Sequence, residues 1–143
     1  MCIVPFFITS AQERNGAVRE KYYILTNNPM VAGKLNEDHK VVFMELSFEE
    51  ILKEARSRIH SGQSLLTHPL SGSVKPNETP YKSLLIGEAK PTTEELAFTL
   101  ELIETAIAAC GKFRAKGDKY AQDFQLIDYT LIKSAVESAD MGI

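Results

Sequence analysis

The sequence predicts a single α/β domain, three layers deep, with a mainly parallel sheet of about four strands flanked by helices. Three observations predict it. Short β-branched and aromatic runs alternate with amphipathic helical stretches. Two of those stretches open with a capping box, Ser47 with Glu50 and Thr92 with Glu95, in which each side chain satisfies the other's backbone donor. The chain has 143 residues, 44% hydrophobic and 24% charged, which is the size and balance of one soluble globular domain.

The domain is expected over residues 21–143, behind an N-terminal extension, residues 1–20. In that extension Pro5 limits Ile3–Ile8 to an edge strand, and Phe6-Phe7 is a candidate contact between chains. Tyr22-Tyr23-Ile24-Leu25-Thr26 reads as a buried strand. Asn28 then serves as an N-cap and Pro29 as the first helical residue, where its missing N–H costs nothing, so a short helix runs to about Leu35.

Val41–Leu46 is the second strand. The helix capped by Ser47 carries Phe48, Ile51, Leu52, Ala55 and Ile59 on one face and ends at Gly62. Ser64–Thr67 and Lys82–Gly87 are the third and fourth strands. The helix after Pro91 turns Leu96, Leu100, Ile103, Ala106, Ile107 and Cys110 to the core. The last helix, from Tyr120 to Ala139, has Tyr120, Phe124, Ile127, Leu131 and Ala135 as its apolar stripe. Common doubly wound patterns suggest strand order 2-1-3-4.

Parallel strands place their carboxyl ends on one edge, where ligands bind in open α/β sheets. Thr26, Asn27 and Asn28 follow the first strand, Glu45 and Ser47 the second, and Thr67 and His68 the third. The connection 67–83 holds three of the six prolines, and a stretch this long without helical period is usually functional or disordered. Ser71-Gly72-Ser73 with Lys75 resembles an anion cradle, since Gly lets the backbone approach, hydroxyls donate and Lys supplies charge. Ser, Gly, Pro and Asn are equally what tight turns require. The expected ligand-binding rim is Thr26, Asn27, Asn28, Thr67, His68, Ser71, Gly72, Ser73, Lys75, Asn77 and Tyr81.

His68 with Ser71 or Ser73 and Glu78 supplies the residue types of a nucleophile–base–orienter relay. There is no G-x-S-x-G elbow, and a histidine in such a loop more often pins the backbone. No P-loop occurs. His39, His60 and His68 show no metal-ligand spacing, so no metal or other cofactor is expected. Cys2 and Cys110 form no CxxC pair. A net charge of −3 argues against nucleic acid, although Lys112, Arg114, Lys116 and Lys119 make a local basic cluster. No run is long enough for a membrane span and no signal peptide is evident, so a cytoplasmic protein is expected.

Two segments carry a family resemblance: Tyr23-Ile24-Leu25-Thr26-Asn27-Asn28-Pro29, and Leu65 to Tyr81, LLTHPLSGSVKPNETPY. Over about Lys21 to Lys133 the chain resembles the GrdX family, small proteins encoded beside the glycine reductase genes of anaerobic bacteria. The resemblance implies a cytoplasmic accessory protein of the glycine, sarcosine or betaine reductase system and carries no residue roles. The expectation is therefore a binding or accessory module acting on a reductase subunit or a small anionic metabolite. The alternative is a small hydrolase or transferase using His68 with Ser71 or Ser73. A homo-oligomer through Ile3–Ile8 is a third expectation.

Overall fold

The computed structural model describes residues 21–70, 79–111 and 118–141. The expectations for the extension 1–20, for the loop 71–78 and for Lys112, Arg114 and Lys116 lie outside the described residues. Strand β1 is Tyr22–Thr26, helix α1 is Pro29–Leu35, and strand β2 is Val41–Phe43. Helix α2 is Phe48–His60, strand β3 is Ser64–Leu65, and strand β4 is Ser83–Gly87. Helix α3 is Thr93–Cys110 and, after a 3-10 turn at Asp118–Tyr120, helix α4 is Ala121–Asp140.

Both capping boxes form: Ser47 and Thr92 accept from the backbone N–H groups of Glu50 and Glu95, and those glutamates reach back to the cap residues. Gly62 ends α2 with φ +111°, a left-handed value that a side chain resists.

The sheet order is β2-β1-β4-β3, which corrects the expected 2-1-3-4. The pair β1–β2 is parallel, whereas β4 runs antiparallel to both β1 and β3. The sheet is therefore mixed rather than mainly parallel. The cause lies in burial: all five residues of β4 are buried, so this strand belongs in the centre, covered on both faces. An antiparallel partner also needs no crossover helix. β3 is confined to two residues and β2 to three, and short edge strands offer little template for stray pairing.

Alternate strand residues feed two cores. Tyr23, Leu25, Leu65, Leu84 and Ile86 pack with Ile51, Leu52 and Ile59 of α2 and Ile103, Ala106 and Cys110 of α3. Ile24, Leu66 and Leu85 pack with Val31 of α1 and Ile132, Ala135, Val136 and Ala139 of α4. The buried stripe of α4 is rotated from the expected one. Asp128, Ile132, Ala135 and Ala139 turn inward, while Tyr120 and Ile127 are exposed.

The far end of α4 is tied to the opposite edge of the sheet. Asp140 accepts a 2.6 Å hydrogen bond from the Tyr22 hydroxyl and lies 3.0 Å from His39 Nε2. Among the described residues no helix is long and apolar enough to cross a membrane.

Candidate functional site

β1, β2 and β3 all run the same way, so their carboxyl ends share one edge with the amino end of β4. Thr26 and Asn27 therefore reach the same rim as Lys82 and Ser83, and α4 crosses it with Gln125 and Asp128.

Thr26 pairs in register with Ser83. Their hydroxyl oxygens are 2.6 Å apart, and Ser83 Oγ donates to Asp128 Oδ2 at 2.6 Å. Since the Ser83 proton points at Asp128, Thr26 is the donor to Ser83. Thr26 Oγ1 in turn accepts from the Asn28 backbone N–H at 2.9 Å. The result is a one-way chain, Asn28 N–H to Thr26 to Ser83 to Asp128, in which each bond polarises the next. The Asn28 side chain donates a further bond to Asp128 Oδ2 at 3.0 Å and one to the Gln125 carbonyl. Its Oδ1 caps α1 through Met30 N–H.

Asn27 acts as a clamp. Its Nδ2 donates to the carbonyls of Leu46 and Pro80, and its Oδ1 accepts from Lys82 N–H at 2.8 Å. Thr67 Oγ1 accepts from Leu85 N–H. Tyr81 accepts from Gln125 Nε2 at 2.9 Å. His68 Nδ1 accepts from Leu70 N–H at 3.0 Å, and burial followed by the charge of Lys82 holds its pKa below the usual value. A neutral imidazole whose Nδ1 is an acceptor carries its proton on Nε2.

The structure thus gathers Thr26, Asn27, Asn28, Thr67, His68 and Tyr81 at one rim, as the sequence suggests. It also shows the amide groups of Asn27 and Asn28 fully used within the protein. Ser71, Gly72, Ser73, Lys75, Asn77 and Glu78 lie outside the described residues.

Beneath this frame is a narrow cleft with about 30 Å³ of room, partly open to solvent. Its walls include Phe48, Leu70, Phe124, Lys82, Ser83 and Asp128. Lys82 and Asp128 were not among the expected site residues. Lys82 is 6% exposed and Asp128 8%. Among the described residues the Lys82 ammonium makes no hydrogen bond or ion pair. The nearby group is the Phe48 ring, centred 5.9 Å away. Burial pushes the Lys82 pKa down to about 8, with Asp128 and then Cys110 acting the other way. Burial likewise pushes Asp128 up, against the bonds from Ser83 and Asn28 and the charge of Lys82. The available signals were a lysine abutting the apolar run Leu84-Leu85-Ile86, and an aspartate four residues before Ile132 on one helix face.

Among the described residues no group of three metal-ligating side chains comes together. The family model described as GrdX-like protein matches residues 23–137. No curated protein and no solved structure matches the chain.

Proposed function

The chain belongs to the GrdX-like protein family, and on that premise we propose that it is an accessory protein of the glycine, sarcosine or betaine reductase system that binds a small anion at the carboxyl rim of its sheet. The observation that carries this reading is Lys82. The Lys82 residue is 6% exposed, its ammonium makes no hydrogen bond or ion pair among the described residues, and burying such a charge is costly, so the cleft it lines is where a small anion would meet it. Asn27 fixes the Lys82 backbone from the end of β1, which sets where its side chain starts.

A hydrolase or transferase using His68 draws less support. A base must accept a hydroxyl proton, and the one acceptor nitrogen of His68 is taken by Leu70 N–H. The same rim remains the first surface to mutate in a search for a reductase subunit that binds the chain.

Thermal unfolding in acetate and in inorganic phosphate tests the proposal. A ligand at 100 times its dissociation constant adds about 2.7 kcal/mol of stability. The wild type should be stabilised by at least one of the two anions and the Lys82→Met variant by neither. Equal shifts in both proteins, or none in the wild type, would overturn the reading.

A further inference from the structure

The outer side of β2 leaves the sheet open. In its parallel pairing with β1, Ile24 lies beside Val41 and Thr26 beside Phe43. Ile24 N–H bonds the Lys40 carbonyl, and Met44 N–H bonds the Thr26 carbonyl. This pattern turns the backbone groups of Val42 toward β1 and those of Val41 and Phe43 away from it. β2 ends the strand order, so the outward N–H and C=O groups of Val41 and Phe43 have no backbone partner among the described residues. The side chains here are apolar and incompletely covered: Val41, Val42, Met44 and Leu46 are half-buried, and Phe43 is 39% exposed. Sheet edges are commonly guarded by a lysine or proline within the strand, or by a bulge. Val41–Phe43 carries none of these.

From this arrangement we propose that a second copy of the chain docks on β2, the two strands pairing antiparallel about a two-fold axis at Val42. So short a strand cannot recruit an arbitrary partner, so the partner must match in side chains as well as in backbone. A second copy does. With Val42 opposite itself, Val41 of each copy faces Phe43 of the other, and the outward groups of both residues are all used. A shift of one residue would bring Val42, already bonded to β1, into those places. The two Val41–Phe43 pairs are of the aromatic and β-branched kind that stabilises neighbouring strands. Charge selects the same direction. Lys40 precedes the strand and Glu45 follows it; both are exposed, and neither forms an ion pair among the described residues. Antiparallel pairing sets the Lys40 end of each strand beside the Glu45 end of the other, whereas parallel pairing aligns like with like. Glu37 and Asp38 sit earlier in the turn, outside the paired segment. The contact is small, so the dimer is reversible rather than obligate. Strand direction reverses across the axis, so the carboxyl rims of the two copies face opposite ways.

Analytical ultracentrifugation of the full chain over about 1 μM to about 1 mM protein tests this. The variants are Phe43→Lys, Lys40→Glu, Glu45→Lys and the double reversal Lys40→Glu with Glu45→Lys. All three positions are exposed, so the fold is kept. The wild type should pass from monomer to dimer within that range. Phe43→Lys should weaken the dimer about tenfold or more, by loss of both cross-strand pairs. Each single reversal should weaken it about three- to tenfold, and the double reversal should return it to within about twofold of wild type. A wild type that stays monomeric throughout, a dimer indifferent to Phe43→Lys, or a double reversal no tighter than the single ones would each overturn the proposal. So would a dimer abolished by Phe6→Ser with Phe7→Ser yet retained by Phe43→Lys, which would place the contact in the N-terminal extension.

Discussion

Thr26 and Ser83 face each other across β1 and β4 with their hydroxyl oxygens 2.6 Å apart, and the proton order they impose ends on the Asp128 carboxylate. This pair joins the centre of the sheet to the last helix. It is buried, with Thr26 fully enclosed and Ser83 5% exposed, so neither hydroxyl has water as a substitute partner.

Ser83→Ala should therefore be costly for so small a change. It removes a donor to a buried carboxylate and the acceptor for Thr26. A loss of about 1–3 kcal/mol is expected, read from urea denaturation midpoints at constant slope. Ser83→Thr, which retains the hydroxyl, should recover much of it. A loss below a few tenths of a kcal/mol would mean that the chain of hydroxyls is structurally idle.

Lys82→Met should stabilise the protein, and the gain should depend on pH. The folded chain holds the Lys82 proton with a pKa of about 8 against the ordinary 10.5. The unfolded chain thus binds this proton more readily, so wild-type stability from this group rises between those two values. Below pH 8 the penalty is complete, and by pH 10.5 it is gone. The variant should be more stable than wild type at neutral pH by up to roughly 3 kcal/mol, with the difference fading across that window. A difference that stays constant from pH 7 to 10 would assign the effect to packing instead.

The glycines at positions 33 and 62 should respond in opposite directions to alanine. Gly62 has φ +111°, and no atom lies within 4 Å of an added Cβ, so the cost of Gly62→Ala is backbone strain alone. About 1–2 kcal/mol of destabilisation is expected. Gly33 lies inside α1 with the same open space, so Gly33→Ala should stabilise by about 0.5–1 kcal/mol. Thermal melts of the two single variants and the double variant give both signs and check their additivity.

Asp140→Ala should loosen one end of α4 while leaving the other intact. The side chain is the shared acceptor for Tyr22 and His39 and is 46% exposed, so a global cost of about 1 kcal/mol or less is expected. Amide hydrogen exchange should quicken in the last turn of α4 and stay unchanged around Asp128. Uniform quickening along the helix would show that the far anchor governs the whole element.

Local chemistry makes much of this fold legible in the sequence. The bounds of β1 and α1 follow from Tyr22–Thr26 and from Asn28-Pro29, and both capping boxes can be read from residues three apart. What cannot be read locally is pairing. Leu84-Leu85-Ile86 announces a buried strand but not its neighbours, so the central, antiparallel place of β4 emerges only with the tertiary structure. The helical period of α4 is equally clear, yet the stripe through Phe124 and Leu131 and the one through Asp128 and Ile132 are adjacent faces of one cylinder. Counting apolar residues favours the first, and burial selects the second because Asp128 has Ser83 and Asn28 to receive it. The rim itself is foreseeable from strand ends. Its two buried charges are not, since a lysine at a strand's edge and an aspartate in a helix ordinarily face water.

The strand order also sets a timetable for the chain as it leaves the ribosome. β1, α1 and β2 form a contiguous unit that can pair as soon as residue 43 is available. β3, though made next, pairs among the described residues with β4 alone, so that pairing waits until Gly87 has emerged and closes a longer stretch of chain. Asp128 arrives later still. The cleft is therefore completed late, ahead of the Asp140–Tyr22 tie at the end of α4, and a chain truncated before α4 carries Lys82 without the wall that faces it.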